Sequence, residues 1–170
     1  GAWTEGVGHS TGRLRLSKGI HIVIDHRHLA VSDAIVLTEG KRILFVLPWG
    51  ERLIVGTTDT DYEGPPENVA VEPADIAYVM RSLKGTFPAL KLTEADIIST
   101  WAGLRPLIAN PDGSPSDISR AHQIRCPQPA WWDVSGGKLT TYRLMAEQAV
   151  DQLVQHLGKP AAPCRTAADP

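Results

Sequence analysis

Cysteine is scarce in this sequence, and its scarcity limits the kinds of site that the chain can carry. Only Cys126 and Cys164 occur among 170 residues, and neither has a second cysteine or a histidine at metal-ligand spacing. The sequence therefore predicts no metal site. Two isolated cysteines also do not make a disulfide scaffold, so we expect both thiols to be reduced, as is usual in the cytoplasm.

Charge of one sign and long apolar runs are lacking as well. Lys and Arg number 17 against 19 Asp and Glu, so the formal net charge of -2 predicts no general attraction to nucleic acid or anionic lipid. No apolar run approaches the ~20 residues that span a bilayer, and the N-terminus lacks the pattern of a signal peptide. The chain starts without methionine and stops without a closing element, so we expect its ends to be boundaries within a longer polypeptide.

What the chain does contain is a block of β-branched and apolar residues near its start. Four segments have this character: Gly19–Asp25, Ala34–Thr38, Arg42–Trp49 and Arg52–Thr57. Gly50 and Glu51 separate the last two segments and fit a two-residue hairpin loop. Because the segments follow one another so closely, they predict an antiparallel sheet rather than β-α-β units.

Helical periodicity begins after this block. Pro73 suits the first turn of a helix. The apolar residues that follow it recur at helical spacing, namely Ile76, Val79, Met80 and Leu83. Further on, Thr93 and Asp96 have the spacing of a capping box. We therefore predict one amphipathic helix directly after the strand block.

The second half of the chain combines short strands with one well-patterned helix. Residues 97–107 are predicted to form a strand that runs into a turn at Pro106, and residues 122–125 and 130–134 are two further strand candidates. A helix follows Thr141 and ends at Gly158. The predicted fold class is therefore α+β: a mainly antiparallel sheet with helices on one face, plus a C-terminal strand-glycine-helix unit.

The junction Gly136-Gly137-Lys138 carries the strongest chemical signal. Glycines allow a backbone to approach a ligand closely, and the N–H groups at a helix start favour negative or electron-rich atoms. Lys138 adds a positive charge, and Thr140 and Thr141 add hydroxyl groups. The spacing is not that of a P-loop. From the pattern alone, a tight turn that caps an ordinary helix explains the junction equally well.

Other polar residues give weaker signals. Arg105 and Arg120 lie near predicted strand ends, where two guanidinium groups can grip a phosphate, although most surface arginines are only hydrated. His21 lies in an apolar strand, where a histidine is more often structural, yet its titration range also suits a general base. Asp59 and Asp61 have no visible third metal ligand, so we expect them to form a turn.

Several segments together resemble one family of flavoenzymes. In order along the chain, they are KGIHIVID, RILFVLPWGERLIVGTTDTDY, ISTWAGLRPLI, ISRAHQI and SGGKLTTYRLMAEQAVD. They resemble the aerobic, FAD-dependent glycerol-3-phosphate dehydrogenases over nearly the whole chain. The resemblance implies oxidation of sn-glycerol 3-phosphate to dihydroxyacetone phosphate, with hydride transfer to FAD and electrons passed to quinone.

The chain departs from that family at both ends. It lacks the N-terminal GxGxxG unit that holds the FAD pyrophosphate, and it lacks the family's C-terminal domain. We therefore expect the isolated chain not to retain FAD and to be inactive. Two alternatives stay open: another flavin oxidoreductase of the same wider group, of the amino-acid oxidase type, and a non-catalytic interaction module formed by the isolated chain.

The resemblance also implies roles for individual residues. Arg105 and Arg120 become substrate-binding residues that grip the phosphate, and His21 becomes the catalytic base near the substrate carbinol. Lys138 becomes a second catalytic residue, beside the flavin ring and the substrate oxygens. The implied cofactor-binding residues are Gly136, Gly137, Lys138, Leu139 and Thr140.

The family's discontinuous FAD domain implies a division of the chain. Residues 1–18 connect from the FAD domain, residues 19–128 form the substrate-binding sheet domain, residues 129–158 return to the FAD domain as a strand and helix, and residues 159–170 form a tail. The implied partners are glycerol 3-phosphate and the quinone pool, without nucleic acid. The intact enzyme is expected to be a homo-oligomer that is cytoplasmic and peripheral at the cytoplasmic membrane.

Overall fold

The computed structural model describes residues 14–39, 42–108 and 121–169. The chain folds into two units, each of which packs mainly against itself. Of the described residues, 15–39 and 42–105 belong to the first unit, and residues 14, 106–108 and 121–169 belong to the second.

A six-stranded sheet dominates the structure. Its strands run in the order β2-β3-β4-β1-β5, and β6 also pairs with β1. The pairs β2/β3, β3/β4, β1/β4 and β1/β5 are all antiparallel, as the sequence predicts. The strands are β1 (Leu14–Asp25), β2 (Ile35–Glu39), β3 (Arg42–Trp49), β4 (Arg52–Gly56), β5 (Thr60–Tyr62) and β6 (Ile97–Ile108).

One face of the sheet is covered by helix α1 (Pro73–Thr86), which follows the strand block as predicted. Side chains alternate between the faces of a strand, so the even-numbered isoleucines of β1 point together toward the helix. Ile20, Ile22 and Ile24 have exposed fractions of 0%, and they form one core cluster with Val79 and Leu83 of α1. Burial of each such side chain contributes about 1.5–3 kcal/mol.

The four strands predicted from the first block are confirmed with small changes at their ends. Strand β1 starts at Leu14 rather than Gly19, and β4 ends at Gly56 rather than Thr57. The predicted hairpin loop is also present, because Gly50 has a φ of 59° between β3 and β4. Such a left-handed conformation favours glycine, which has no Cβ to clash with the backbone.

Two predicted turns are wrong. Strand β6 does not turn at Pro106 but continues to Ile108. Asp61 does not lie in a turn, because it belongs to the short strand β5 and pairs with Ser17 of β1. Both residue types favour turns locally, but pairing with β1, which is distant in sequence, overrides that preference here.

The second unit contains a hairpin and a helix. Strands β7 (His122–Gln128) and β8 (Trp131–Gly136) are antiparallel, and a 3-10 turn at Leu139–Thr141 leads into helix α2 (Tyr142–Leu157). Gly158 ends that helix in the left-handed conformation, with a φ of 61°, as the sequence predicts. Both cysteines are exposed and free of disulfides. No helix in the described ranges is long and apolar enough to cross a membrane.

Candidate functional site

His21 lies on the face of the sheet that α1 does not cover. It is half-buried, while its neighbours Ile20 and Ile22 point to the covered face. Its direct partner on β4 is Gly56. A Cβ at that glycine would lie 2.7 Å from the His21 Cγ and 2.7 Å from the carbonyl oxygen of Ile20. Glycine at position 56 therefore makes room for the imidazole ring to lie across β4.

An indole ring fixes the orientation of the imidazole. The Trp101 ring of β6 stacks on the His21 ring with centroids 4.8 Å apart and an interplanar angle of 14°. The Nδ1 atom of His21 is buried and has no hydrogen-bond partner among the described residues. Buried nitrogen atoms without partners are rare in proteins and often mark functional sites.

The environment of His21 favours its neutral form. Burial lowers the pKa of His21 below its usual value of 6.5, and the nearby positive charge of Arg105 lowers it further. Both effects act in the same direction, because each penalises the protonated imidazolium. A neutral imidazole at physiological pH has a free lone pair and can accept a proton.

Arg105 is anchored on the same face of the sheet as His21. Its Nη2 donates to the Thr57 Oγ1 at 2.7 Å, and its Nη1 donates to the Thr58 carbonyl oxygen at 3.2 Å. The Nη1 atom also lies 3.5 Å from the Asp59 Oδ1. A Cβ at Gly19 would come within 2.6 Å of Nη1, so the guanidinium group lies over that glycine. Arg105 is thus held within strand β6, which continues beyond the turn that the sequence predicts at Pro106.

A bulge between β4 and β5 supplies the anchors of Arg105. Lys18 pairs with Thr60 and His21 pairs with Gly56, so two residues on β1 face three residues, 57–59, on the other side. One extra residue in one strand is the mark of a β-bulge, a device that re-aims side chains and is enriched beside active sites. Here the bulge turns hydroxyl, carbonyl and carboxylate oxygens toward Arg105.

The glycine-lysine junction lies in the second unit. Gly136 and Gly137 have φ values of 72° and 82°, a conformation that favours glycine. A Cβ at Gly136 would lie 2.7 Å from the Ala121 carbonyl oxygen. Thr141 caps the turn, because its N–H donates to the Lys138 carbonyl at 3.0 Å and its Oγ1 accepts from the Lys138 N–H at 3.2 Å.

This capping leaves the first two N–H groups of the 3-10 turn, those of Leu139 and Thr140, without intrahelical partners. Lys138, Leu139 and Thr140 are all exposed. The sequence alone did not decide whether this junction caps a helix or is suited to bind a ligand, and the structure shows features of both. It is a tight cap for the following helix, and it also presents two donors and a positive charge.

The predicted site residues fall into two groups. His21 and Arg105 lie together in the first unit, while the five residues from Gly136 to Thr140 lie in the second. Arg120 lies outside the described residues. The sequence reasoning did not find Trp101, although it lies four residues before Arg105 and so shares its face of β6. Within the described ranges, no group of His, Cys, Asp and Glu can hold a metal ion.

Comparisons with known proteins agree on one group of enzymes. Residues 1–141 match the family model described as FAD dependent oxidoreductase. Glycerol-3-phosphate dehydrogenase 2 of Mycobacterium tuberculosis is 38% identical over 171 residues, covering 98% of this chain and 29% of that protein. Aerobic glycerol-3-phosphate dehydrogenase of Staphylococcus aureus is 35% identical, and the match covers 98% of this chain and 32% of that protein.

A solved structure is similar as well. The glycerol-3-phosphate dehydrogenase of Bacillus halodurans, complexed with FAD, superposes with a TM-score of 0.80 at 32% sequence identity. The match covers 98% of this chain and 32% of that structure. The chain thus spans less than a third of the length of the curated relatives that it matches.

Proposed function

We propose, since this chain belongs to the FAD dependent oxidoreductase family, that it forms the substrate-side part of a flavoenzyme that oxidises sn-glycerol 3-phosphate to dihydroxyacetone phosphate. The names of its relatives support this substrate. The observation that carries the proposal is a histidine of lowered pKa beside an anchored arginine on one open sheet face. A phosphorylated alcohol needs both groups, a base for its hydroxyl and a cation for its phosphate.

His21 has the role of general base in this proposal. Oxidation of an alcohol to a ketone removes a proton from the hydroxyl oxygen and a hydride from the carbon that bears it. The Nδ1 atom of His21 is buried within the protein. We therefore propose that Nε2 is the nitrogen that accepts the proton from the substrate hydroxyl group. Stacking on Trp101 restricts rotation of the ring, which keeps Nε2 in one direction relative to the sheet. A positioned base of this kind contributes about 10²–10⁴-fold to the rate.

Arg105 has the role of phosphate-binding residue. Its planar guanidinium group can donate two parallel hydrogen bonds to phosphate oxygens, which a lysine cannot reproduce. Its contacts with Thr57 and Thr58 hold the group in place before the substrate arrives, which lowers the entropic cost of binding. Arg120 is proposed as the second phosphate-binding residue, on the family resemblance alone.

In the second unit, only some of the predicted cofactor-binding residues are suited to contact a flavin ring. The glycines are required by the backbone and by internal packing, because a Cβ on Gly136 would meet Ala121. What remains for a cofactor is the charge of Lys138 with the open N–H groups of Leu139 and Thr140, a donor set that suits electron-rich oxygens. We propose that these three residues hold the ring. FAD, when bound, accepts the hydride from the substrate carbon.

The test is flavin reduction in the full-length protein under anaerobic conditions. Glycerol 3-phosphate should bleach the flavin absorbance near ~450 nm, whereas glycine and D-alanine should not. His21→Asn should slow bleaching by about 100-fold or more without changing the flavin content. His28→Asn, which removes a histidine three residues beyond the end of β1, is the matched control and should keep the wild-type rate. Bleaching by an amino acid, but not by glycerol 3-phosphate, would instead identify an amino-acid oxidase.

The partners of the intact enzyme are also proposals. By resemblance, its electrons pass to quinone, and it is a homo-oligomer that is cytoplasmic and peripheral at the cytoplasmic membrane. Reduction of a water-soluble quinone by the substrate-reduced enzyme, and its sedimentation with vesicles, would test the two points separately.

A further inference from the structure

Two cavities lie beside Tyr78, where α1 meets the strands of the first unit. Both are lined by Tyr78 and Arg42, and their volumes are similar, about 320 Å³ and about 310 Å³. Their charges are opposite in character. The first cavity is lined by four carboxylates, those of Asp61, Glu63, Glu72 and Asp75. The second cavity has no carboxylate among its described lining residues.

The second cavity concentrates positive charge on one aromatic ring. The guanidinium carbon of Arg42 lies 5.2 Å from the centroid of the Tyr78 ring, and that of Arg81 lies 5.6 Å from the same centroid. Cation-π contacts of this kind restrict both side chains. Among the side chains that the structure describes, Arg81 has no carboxylate partner. Both guanidinium groups are positively charged and line the same cavity, so each of them attracts an anion that enters it.

Hydroxyl groups complete the lining of this cavity. Thr38 contributes one from β2, and Ser82 and Thr86 contribute two from α1. The Thr86 Oγ1 already donates to the Ser82 carbonyl oxygen, which fixes its position on the last turn of the helix. Guanidinium forks bind phosphate groups through paired, charge-assisted hydrogen bonds, and the hydroxyl groups keep the surrounding lining polar.

We propose that the cavity formed by Arg42, Tyr78, Arg81 and the three hydroxyl residues binds a phosphate-type dianion. This site is separate from the proposed active site, because α1 covers the opposite face of the sheet from His21 and Arg105. It therefore does not rest on the proposed function. The phosphate group can belong to a free phosphate or phosphomonoester, or to the headgroup of a phosphatidic acid surface.

The test is a titration of the full-length protein with inorganic phosphate, measured by isothermal titration calorimetry. All samples carry Arg105→Ala and Arg120→Ala, so that the two proposed substrate arginines do not contribute. The double variant Arg42→Gln/Arg81→Gln should weaken phosphate binding by about tenfold or more, since it removes both forks. Arg42→Lys/Arg81→Lys should recover only part of the affinity, because it restores the charge without the fork.

A matched control separates this site from general charge. Lys84→Gln/Lys91→Gln removes the same two positive charges from exposed positions that do not line the cavity, and it should leave phosphate binding unchanged. The four substituted positions are all exposed, so the melting temperature without phosphate should be preserved in both double variants. Equal losses in the two double variants would overturn the proposal.

Vesicles distinguish the two sources of the phosphate. Co-sedimentation with vesicles of phosphatidylcholine containing phosphatidic acid, lost in Arg42→Gln/Arg81→Gln and kept in Lys84→Gln/Lys91→Gln, would assign the cavity to a lipid headgroup. Calorimetric binding without such co-sedimentation would assign it to a free phosphate. If the arginine substitutions change neither measurement, the cavity binds no phosphate group.

Discussion

The two faces of the sheet have different roles, although the same strands build both. On the covered face, Ile22 of β1 packs beneath α1 and is fully buried. On the open face, one row across the strands consists of Val36, Phe45, Gly56 and His21, and its apolar members are partly exposed. Exposed apolar surface on a protein often marks a ligand or protein contact. The comparison indicates that stability comes mainly from one face, whereas the proposed active site lies on the other.

The largest effect on the covered face should come from Lys18→Met. The Nζ of Lys18 lies 2.8 Å from the Asp75 carboxylate and 2.6 Å from that of Glu72, and both Lys18 and Asp75 are almost fully buried. Burial alone would lower the pKa of Lys18, but the bonds to the two carboxylates outweigh it and raise that pKa. Removal of the cation leaves the charge of Asp75 buried without a positive partner, so urea unfolding should show a loss of about 3–5 kcal/mol.

This loss should depend on pH in a defined way. Because the pKa of Lys18 is raised in the folded state, its stabilisation is fully present below the unfolded value and is lost as the pH rises through the folded value. Above neutral pH, the stability difference between wild type and Lys18→Met should therefore shrink only in strongly alkaline solution. A difference that shrinks between about pH 7 and about pH 9 would contradict the ion-pair explanation, because the unfolded pKa of lysine is about 10.4.

A matched pair of isoleucines compares the two faces directly. Ile22 has an exposed fraction of 0% and Ile43 one of 50%, on opposite faces of the same sheet. Ile22→Ala leaves a cavity beneath α1 and should cost about 2–5 kcal/mol in the free energy of unfolding. Ile43→Ala removes the same atoms from a surface and should cost less than half as much. Equal values in urea titrations would mean that the open face is packed against something in solution.

Arg105→Ala, in contrast to the substitutions on the covered face, should lower catalytic activity more than it lowers the free energy of unfolding. In the full-length enzyme, the loss of a charge-assisted phosphate contact should lower kcat/KM for glycerol 3-phosphate by the equivalent of about 2 kcal/mol or more. Arg105→Lys should recover only part of this loss. If both variants keep the wild-type kcat/KM, the anchors from the bulge serve the fold alone and the phosphate site lies elsewhere.

The smallest effect concerns the pKa of His21. Burial first, and Arg105 second, lower this pKa below 6.5. The stability that depends on a neutral His21 is therefore present above its unfolded pKa and is lost as the pH falls through the lower folded value. Trp101→Leu removes the stacked ring and exposes the imidazole, so the pKa should return toward its usual value. An NMR titration of the His21 ring would measure the shift, and an unchanged pKa would show that Trp101 does not help to bury it.

The sequence predicts those parts of this structure that depend on local pattern. Apolar, β-branched segments predict β1 to β4, and helical spacing predicts α1 and α2, with Gly158 marking the end of α2. The bulge at residues 57–59 was missed, because it is defined by its register against β1 and not by its own residues. The stacking of Trp101 on His21 was missed for the same reason, since it requires β6 to pair with β1. The roles assigned to the site residues remain predictions.

The position of β1 in the sheet has a consequence for the order in which the molecule opens. This strand pairs with β4, β5 and β6, while its residues on the covered face lie in the core cluster. Local opening begins where few interactions must be broken, at edge strands and chain ends. The amide hydrogens of β1 should therefore be among the last to exchange with solvent. Because His21 lies in β1, fraying of β2 at the sheet edge should leave the backbone of His21 in place.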